Sequence, residues 1–99
     1  MTYVGGKDIE LGKLIATTNF MRRAEELGEN PELLMKTAVA RHAIGDWGEC
    51  CQEDSASNDD ALKNGERLLS VYKMKEGEKF WVITEWDRSV TTILLPEDY

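Results

Sequence analysis

Phe80-Trp81-Val82-Ile83-Thr84-Glu85-Trp86, then Asp87-Arg88-Ser89, then Val90-Thr91-Thr92-Ile93-Leu94-Leu95-Pro96 is the stretch that decides the fold class. Two runs of β-branched and aromatic residues flank a polar triplet, and such residues suit a pleated, half-buried backbone. Alternation puts Phe80, Val82, Thr84 and Trp86 on one side of the first strand and Trp81, Ile83 and Glu85 on the other. Pro96 ends the second run, because it has no N–H to give a neighbouring strand. Upstream, Arg67 to Met74 is also strand-like, and Glu76-Gly77 turns it back. Three turn-separated strands in succession make an antiparallel meander.

Working towards the N-terminus, the apolar period changes from two to about 3.6. Glu53 to Asn64 reads as a surface helix, closed by Asn64-Gly65, with a small apolar face of Ala56, Ala61 and Leu62. Asn30-Pro31-Glu32 is a strong helix start, with an N-cap, a proline at the first helical position and an acid in the first turn. That helix runs to about Ile44 and stops at Gly45. Leu33, Thr37, Ala40 and Ile44 form one stripe, and Met35, Val39 and His42 form its neighbour. Thr18 or Asn19 caps a shorter helix carrying Phe20, Ala24 and Leu27, which Gly28 stops. A short strand fits Gly12–Thr17. Helices first and strands afterwards predict an α+β fold, with two or three N-terminal helices packed on a three- to four-stranded antiparallel sheet formed mainly by the C-terminal third.

The chain has 99 residues, which fits one domain over residues 1–99 and suffices for one core. Apolar residues make up 41%, enough to favour a folded chain over disorder despite 31% charged residues. The net charge of −7 argues against direct binding to a phosphate backbone and favours solubility or a basic protein partner. Cys50 and Cys51 are adjacent, cannot easily bridge each other, and read as free thiols of a reducing cytoplasm. With one histidine beside them, they fall short of the four ligands of a structural zinc site, so neither metal nor cofactor is expected. Residues 1–8 are expected to be loose, with no apolar segment of a signal peptide, and no run approaches the length of a membrane span.

The chemistry-bearing residues gather in two words. Arg41-His42-Ala43-Ile44-Gly45-Asp46-Trp47-Gly48 holds the single histidine at a helix end, followed by a glycine-flanked acid–aromatic pair. His42 is a general acid or base, a ligand, or a satisfied histidine favoured by the helix dipole. The glycines let the loop present Asp46 and Trp47 outward; alternatively Trp47 plugs the core and Asp46 caps a backbone amide. In Thr84-Glu85-Trp86-Asp87-Arg88-Ser89, Arg88 suits a carboxylate or phosphate, or an internal pair with Asp46 or Asp87. Arg67 falls at the same end of a three-stranded meander. Asn58, Ser70, Thr91 and Thr92 are secondary candidates. The binding set is therefore Arg41, His42, Asp46, Trp47, Asn58, Arg67, Glu85, Asp87 and Arg88, and His42, Asp46 and Arg88 are expected to form one cluster. Phosphate-loop, dinucleotide, zinc-protease and nucleophile-elbow motifs are missing from the sequence.

The words RHAIGDWGE (Arg41–Glu49), NDDALKNGERLLSVY (Asn58–Tyr72) and ITEWDRSVTTILLPEDY (Ile83–Tyr99) resemble a family of small bacterial proteins of plasmids, integrative elements and phages. These are usually called plasmid-related proteins and sometimes type I restriction endonuclease subunit M. The family pattern falls on Arg41, His42, Gly45, Asp46, Trp47 and Gly48, on Asn58, on Arg67, Leu69, Ser70 and Tyr72, and on Thr84, Glu85, Asp87, Arg88, Ser89, Thr91, Thr92, Leu94, Leu95 and Pro96. The paired cysteines stand outside it. A methyltransferase subunit needs a larger cofactor-binding domain and an Asn/Asp-Pro-Pro-aromatic word; here the only prolines are Pro31 and Pro96. The negative charge, the missing catalytic motifs and the resemblance together point to a cytoplasmic accessory protein of a mobile genetic element that binds a protein partner, in defence or maintenance. The alternative is a small hydrolase or nuclease using His42 with Asp46 or Glu85, and Arg88 to stabilise an anion.

Overall fold

The computed structural model describes residues 9–99, so the expected looseness of residues 1–8 lies outside the described residues. In chain order the elements are β1 (Lys13–Ala16), α1 (Thr18–Glu26), α2 (Pro31–Ala43), α3 (Gln52–Asn64), β2 (Leu68–Lys73), β3 (Lys79–Thr84) and β4 (Val90–Leu94). The fold is α+β. The four strands lie in the order β1-β4-β3-β2. The meander β2-β3-β4 is antiparallel, whereas β1 joins β4 in parallel, with Leu14 opposite Thr91 and Ala16 opposite Ile93.

The helix boundaries follow local chemistry. Thr17, one residue before the expected cap, accepts from the Phe20 amide at 3.1 Å and starts α1. Asn30 accepts from the amides of Glu32 and Leu33, with Pro31 opening α2. Gly65, at φ 71°, closes α3 in the left-handed conformation. At the far end, Asp98 accepts from Thr17 Oγ1, Asn19 Nδ2 and the Leu95 amide, tying the C-terminal turn to the start of α1.

α1 and α2 cover one face of the sheet. Phe20 from α1 and Ala38 and Val39 from α2 pack on Tyr72, Phe80, Val82 and Ile93. A second cluster, Ile9, Trp47, Ala61 and Leu68, lies beneath α3. Two sequence expectations are corrected here. On α2 the inner stripe is Met35, Val39 and His42, while Leu33 is 62% exposed and Thr37, Ala40 and Ile44 also face solvent. At 100° per residue the two stripes lie on roughly opposite sides of the helix, so one sheet face takes only one of them. Trp86 does not continue the Phe80 row, since β3 ends at Thr84 and Trp86 is 67% exposed in the following turn.

The two sheet edges differ. On the β2 side the Trp47 carbonyl accepts from the Val71 amide at 3.0 Å, and the Glu49 amide donates back to the Val71 carbonyl at 2.6 Å. The Asn58 side chain does the same for Leu69: Nδ2 donates to its carbonyl at 2.6 Å and Oδ1 accepts from its amide at 3.1 Å. A helix side chain thus imitates a neighbouring strand. Glycine is required at position 48, where φ is 75° and a Cβ would sit 2.0 Å from the Val71 carbonyl oxygen.

Candidate functional site

Four polar residues occupy the core-facing rows. β2 contributes Ser70 between Leu68 and Tyr72, β3 contributes Thr84 after Phe80 and Val82, β4 contributes Thr91 before Ile93, and α2 lays His42 over them. All four are fully buried. They form one chain of hydrogen bonds: Ser70 Oγ to His42 Nδ1 at 2.6 Å, His42 Nε2 to Thr84 Oγ1 at 2.8 Å, Thr84 Oγ1 to Thr91 Oγ1 at 2.7 Å, and Thr91 Oγ1 to the Leu11 carbonyl at 2.7 Å.

The far end of this chain fixes its direction. A carbonyl oxygen only accepts, so Thr91 donates its single hydroxyl proton to Leu11. Thr84 must then donate to Thr91, and the proton between His42 and Thr84 must belong to the ring. Nδ1 is left as an acceptor for the Ser70 hydroxyl. That is the arrangement of the neutral imidazole, whose single proton then sits on Nε2. Burial, helped by the positive field of Arg88, pushes its pKa down to about 4. A charged ring would need an acceptor at both nitrogens, and the Ser70 hydroxyl would have to turn round. Ser70 against His42 has the composition of a nucleophile–base pair. Here neither group meets solvent, and the edge of Trp47 packs on the ring at 5.6 Å between centroids.

A second system lies at the surface end of α2. Arg41 holds Asp46 with two bonds, Nε to Oδ2 at 2.7 Å and Nη2 to Oδ1 at 3.2 Å. This grip keeps the Asp46 carboxyl below its ordinary range, and the Gly48 amide adds a further bond. The Arg41 guanidinium lies 4.6 Å over the Tyr72 ring, and the Tyr72 hydroxyl donates to the Asp46 carbonyl at 2.5 Å. Burial pushes that hydroxyl up to about 12. Trp47 fills the second core cluster, and its indole N–H donates to Asp59 at 3.1 Å. Of the two conformations weighed for this loop, Trp47 plugs the core and Asp46 caps an amide.

A third system is the 85–90 turn. Arg88 takes φ 61°, unusual for a side chain other than glycine. Its Nη1 donates to the carbonyls of Glu66, Glu85 and Trp86. Asp87 accepts from the amide and hydroxyl of Ser89, which holds its carboxyl below the usual range. Glu85 has no side-chain partner among the described residues. Arg67 hydrogen-bonds the Tyr99 hydroxyl and stacks on its ring, which in turn packs edgewise on Trp81. Arg67 and Arg88 do share one end of the sheet, where they meet a phenol and backbone carbonyls.

His42, Asp46 and Arg88 thus belong to three separate hydrogen-bond systems. Asn58 and Arg67 line a cleft of about 210 Å³ with Cys50, Asp54, Ser57 and Leu69. The Asn58 amide is committed to Leu69, and burial pushes the Cys50 thiol up. Every buried side-chain polar atom among the described residues has a partner. The buried chain itself was only partly named by the sequence: Ser70 and Thr91 stood as secondary candidates and Thr84 as part of a turn word. The signal was a hydroxyl in the inward register of each of three strands, opposite a lone histidine on an apolar helix stripe. No helix among the described residues is long and apolar enough to cross a membrane. Comparison with known proteins finds no matching family model, no matching curated protein and no matching solved structure.

Proposed function

We propose that this chain is a small accessory protein of a mobile genetic element, acting in the cytoplasm by binding a protein partner rather than by catalysis. The observation that carries this reading is where the polar side chains go. His42 is locked in the core, Asp46 is held by Arg41, and Arg88 is spent on carbonyls. These are structural duties, and they leave no group of this set aimed at a substrate. What the surface offers instead is apolar and acidic. Trp86 is 67% exposed and Tyr99 68% exposed, on a chain of net charge −7. Exposed aromatics within a negative field suit a partner with an apolar centre and a basic rim. The wording shared with plasmid-related proteins supports the setting.

Site-specific photocrosslinking in cells tests this. With a photoreactive phenylalanine analogue in place of Trp86 or Tyr99, one discrete protein adduct is expected. The same analogue at Leu33, on the outer face of α2, is expected to give none. Saturable turnover of an ester, peptide or phosphodiester by the purified protein would overturn the reading. It would favour the hydrolase alternative built on His42, Asp46 or Glu85, and Arg88.

A further inference from the structure

The β1 edge of the sheet, open among the described residues, has the chemistry to pair with a second copy of itself. The Lys13 amide donates to the Ser89 carbonyl at 3.0 Å and the Thr17 amide to the Ile93 carbonyl at 2.9 Å. Odd-numbered residues of β1 therefore face β4, and the N–H and C=O groups of Leu14 and Ala16 point away from the sheet. Among the described residues no backbone group pairs with them. Leu14 is 47% exposed and Ile15 42% exposed, on opposite faces of the strand. Such an edge is a template for another strand unless something blunts it. The opposite edge is blunted, by Trp47, Glu49 and Asn58 on β2.

We infer that the protein forms a two-fold dimer through antiparallel pairing of β1 with β1 of a second copy. The register with its axis at Ile15 is self-complementary. Leu14 of each copy faces Ala16 of the other and exchanges two backbone bonds with it. The two Ile15 side chains meet on one face, a large Leu14 lies beside a small Ala16 on the other, and Lys13 faces Thr17. No like charges are opposed. One open and one closed edge per copy also decides the size of the assembly. Pairing uses both open edges and stops at two, giving an eight-stranded sheet with two closed rims instead of a filament. This inference is independent of the partner reading above, because a dimer that captures nothing leaves it intact.

Cysteine crosslinking combined with mass in solution tests it. In a Cys50→Ser/Cys51→Ser background, Ile15→Cys brings two thiols together in a non-hydrogen-bonded pair, within the reach of a disulfide. Air oxidation is expected to give a covalent dimer, while Thr37→Cys on exposed α2 stays monomeric. Sedimentation velocity of the unmodified chain is expected to show twice the monomer mass. Ile15→Lys opposes two cations at the axis and is expected to weaken the dimer about tenfold or more. It acts at a half-exposed position, and circular dichroism checks that it stays folded. A monomer at all concentrations, with Ile15→Cys no more crosslinked than Thr37→Cys, overturns the inference. The same result is expected if a different chain occupies the edge, and it counts equally against the dimer.

Discussion

The two polar systems at the end of α2 sit one residue apart in sequence and differ in every physical respect. Arg41 and Asp46 are ionic, half-exposed and free to exchange their bonds for water. His42 and the three hydroxyls are neutral, fully enclosed and have no water to turn to. An exposed ion pair gains modest Coulomb energy and gives up side-chain entropy, so its net worth is small. A buried neutral hydrogen bond also adds little beyond the water it replaces, but each partner orphaned by its loss carries a full desolvation penalty. The more modest-looking chemistry is therefore the more costly to disturb.

Breaking the buried chain in its middle gives the largest expected effect. His42→Leu strands the Ser70 and Thr84 hydroxyls, and urea unfolding is expected to show a loss of about 3 kcal/mol. Lowering the pH attacks the same ring without mutation. The pKa of His42 is about 4 in the fold against 6.5 for a free ring, so between those values the unfolded chain binds more protons. Stability is then complete above about pH 6.5, falls as the pH drops towards 4, and has lost up to roughly 3 kcal/mol below that. Unfolding free energies measured from pH 7 to 4 check the sign, and the His42→Leu variant is expected to lack this component of the slope.

Cutting the chain at its end should cost less. Thr91→Val keeps the shape but leaves the Leu11 carbonyl unbonded and Thr84 without an acceptor, an expected loss of about 2 kcal/mol. Asp46→Asn, on the surface side of the comparison, keeps an oxygen for the Gly48 amide but removes the charge and the acceptor of the Arg41 Nε bond, both at a site open to water. About 0.5 kcal/mol is expected, shrinking further as salt is added, whereas the His42 and Thr91 losses should be insensitive to salt. Equal costs for Asp46→Asn and His42→Leu would break the comparison outright.

Much of this architecture was legible in the sequence wherever the deciding interaction is local. Asn30-Pro31 announced α2, Asn64-Gly65 ended α3, and the turns at Glu76-Gly77 and Asp87-Arg88-Ser89 separated the strands of the meander. Parallel pairing of β1 with β4 was not legible, because Leu14 and Thr91 meet only through the whole intervening chain. Nor was the choice between the two apolar stripes of α2, which depends on the side from which the distant strands meet the helix. The candidate site was legible as a place and not as an arrangement. His42 and Trp47 stood out, but a hydroxyl such as Thr84 fits a strand interior or a turn equally well on sequence alone. Arg88 read as an anion ligand because guanidinium usually is one; its positive φ turns it back onto carbonyls instead.

The amide-for-strand substitution by Asn58 has a consequence in time as well as space. Few apolar atoms hold α3, chiefly Ala61 with part of Leu62, so the helix should detach from the sheet far more often than the whole domain unfolds. Each detachment frees the Leu69 amide, whose outward bond is made to the Asn58 side chain. The exchange rate of that one proton with solvent deuterium is then a clock for the undocking of a single helix, running while the rest of the sheet stays closed.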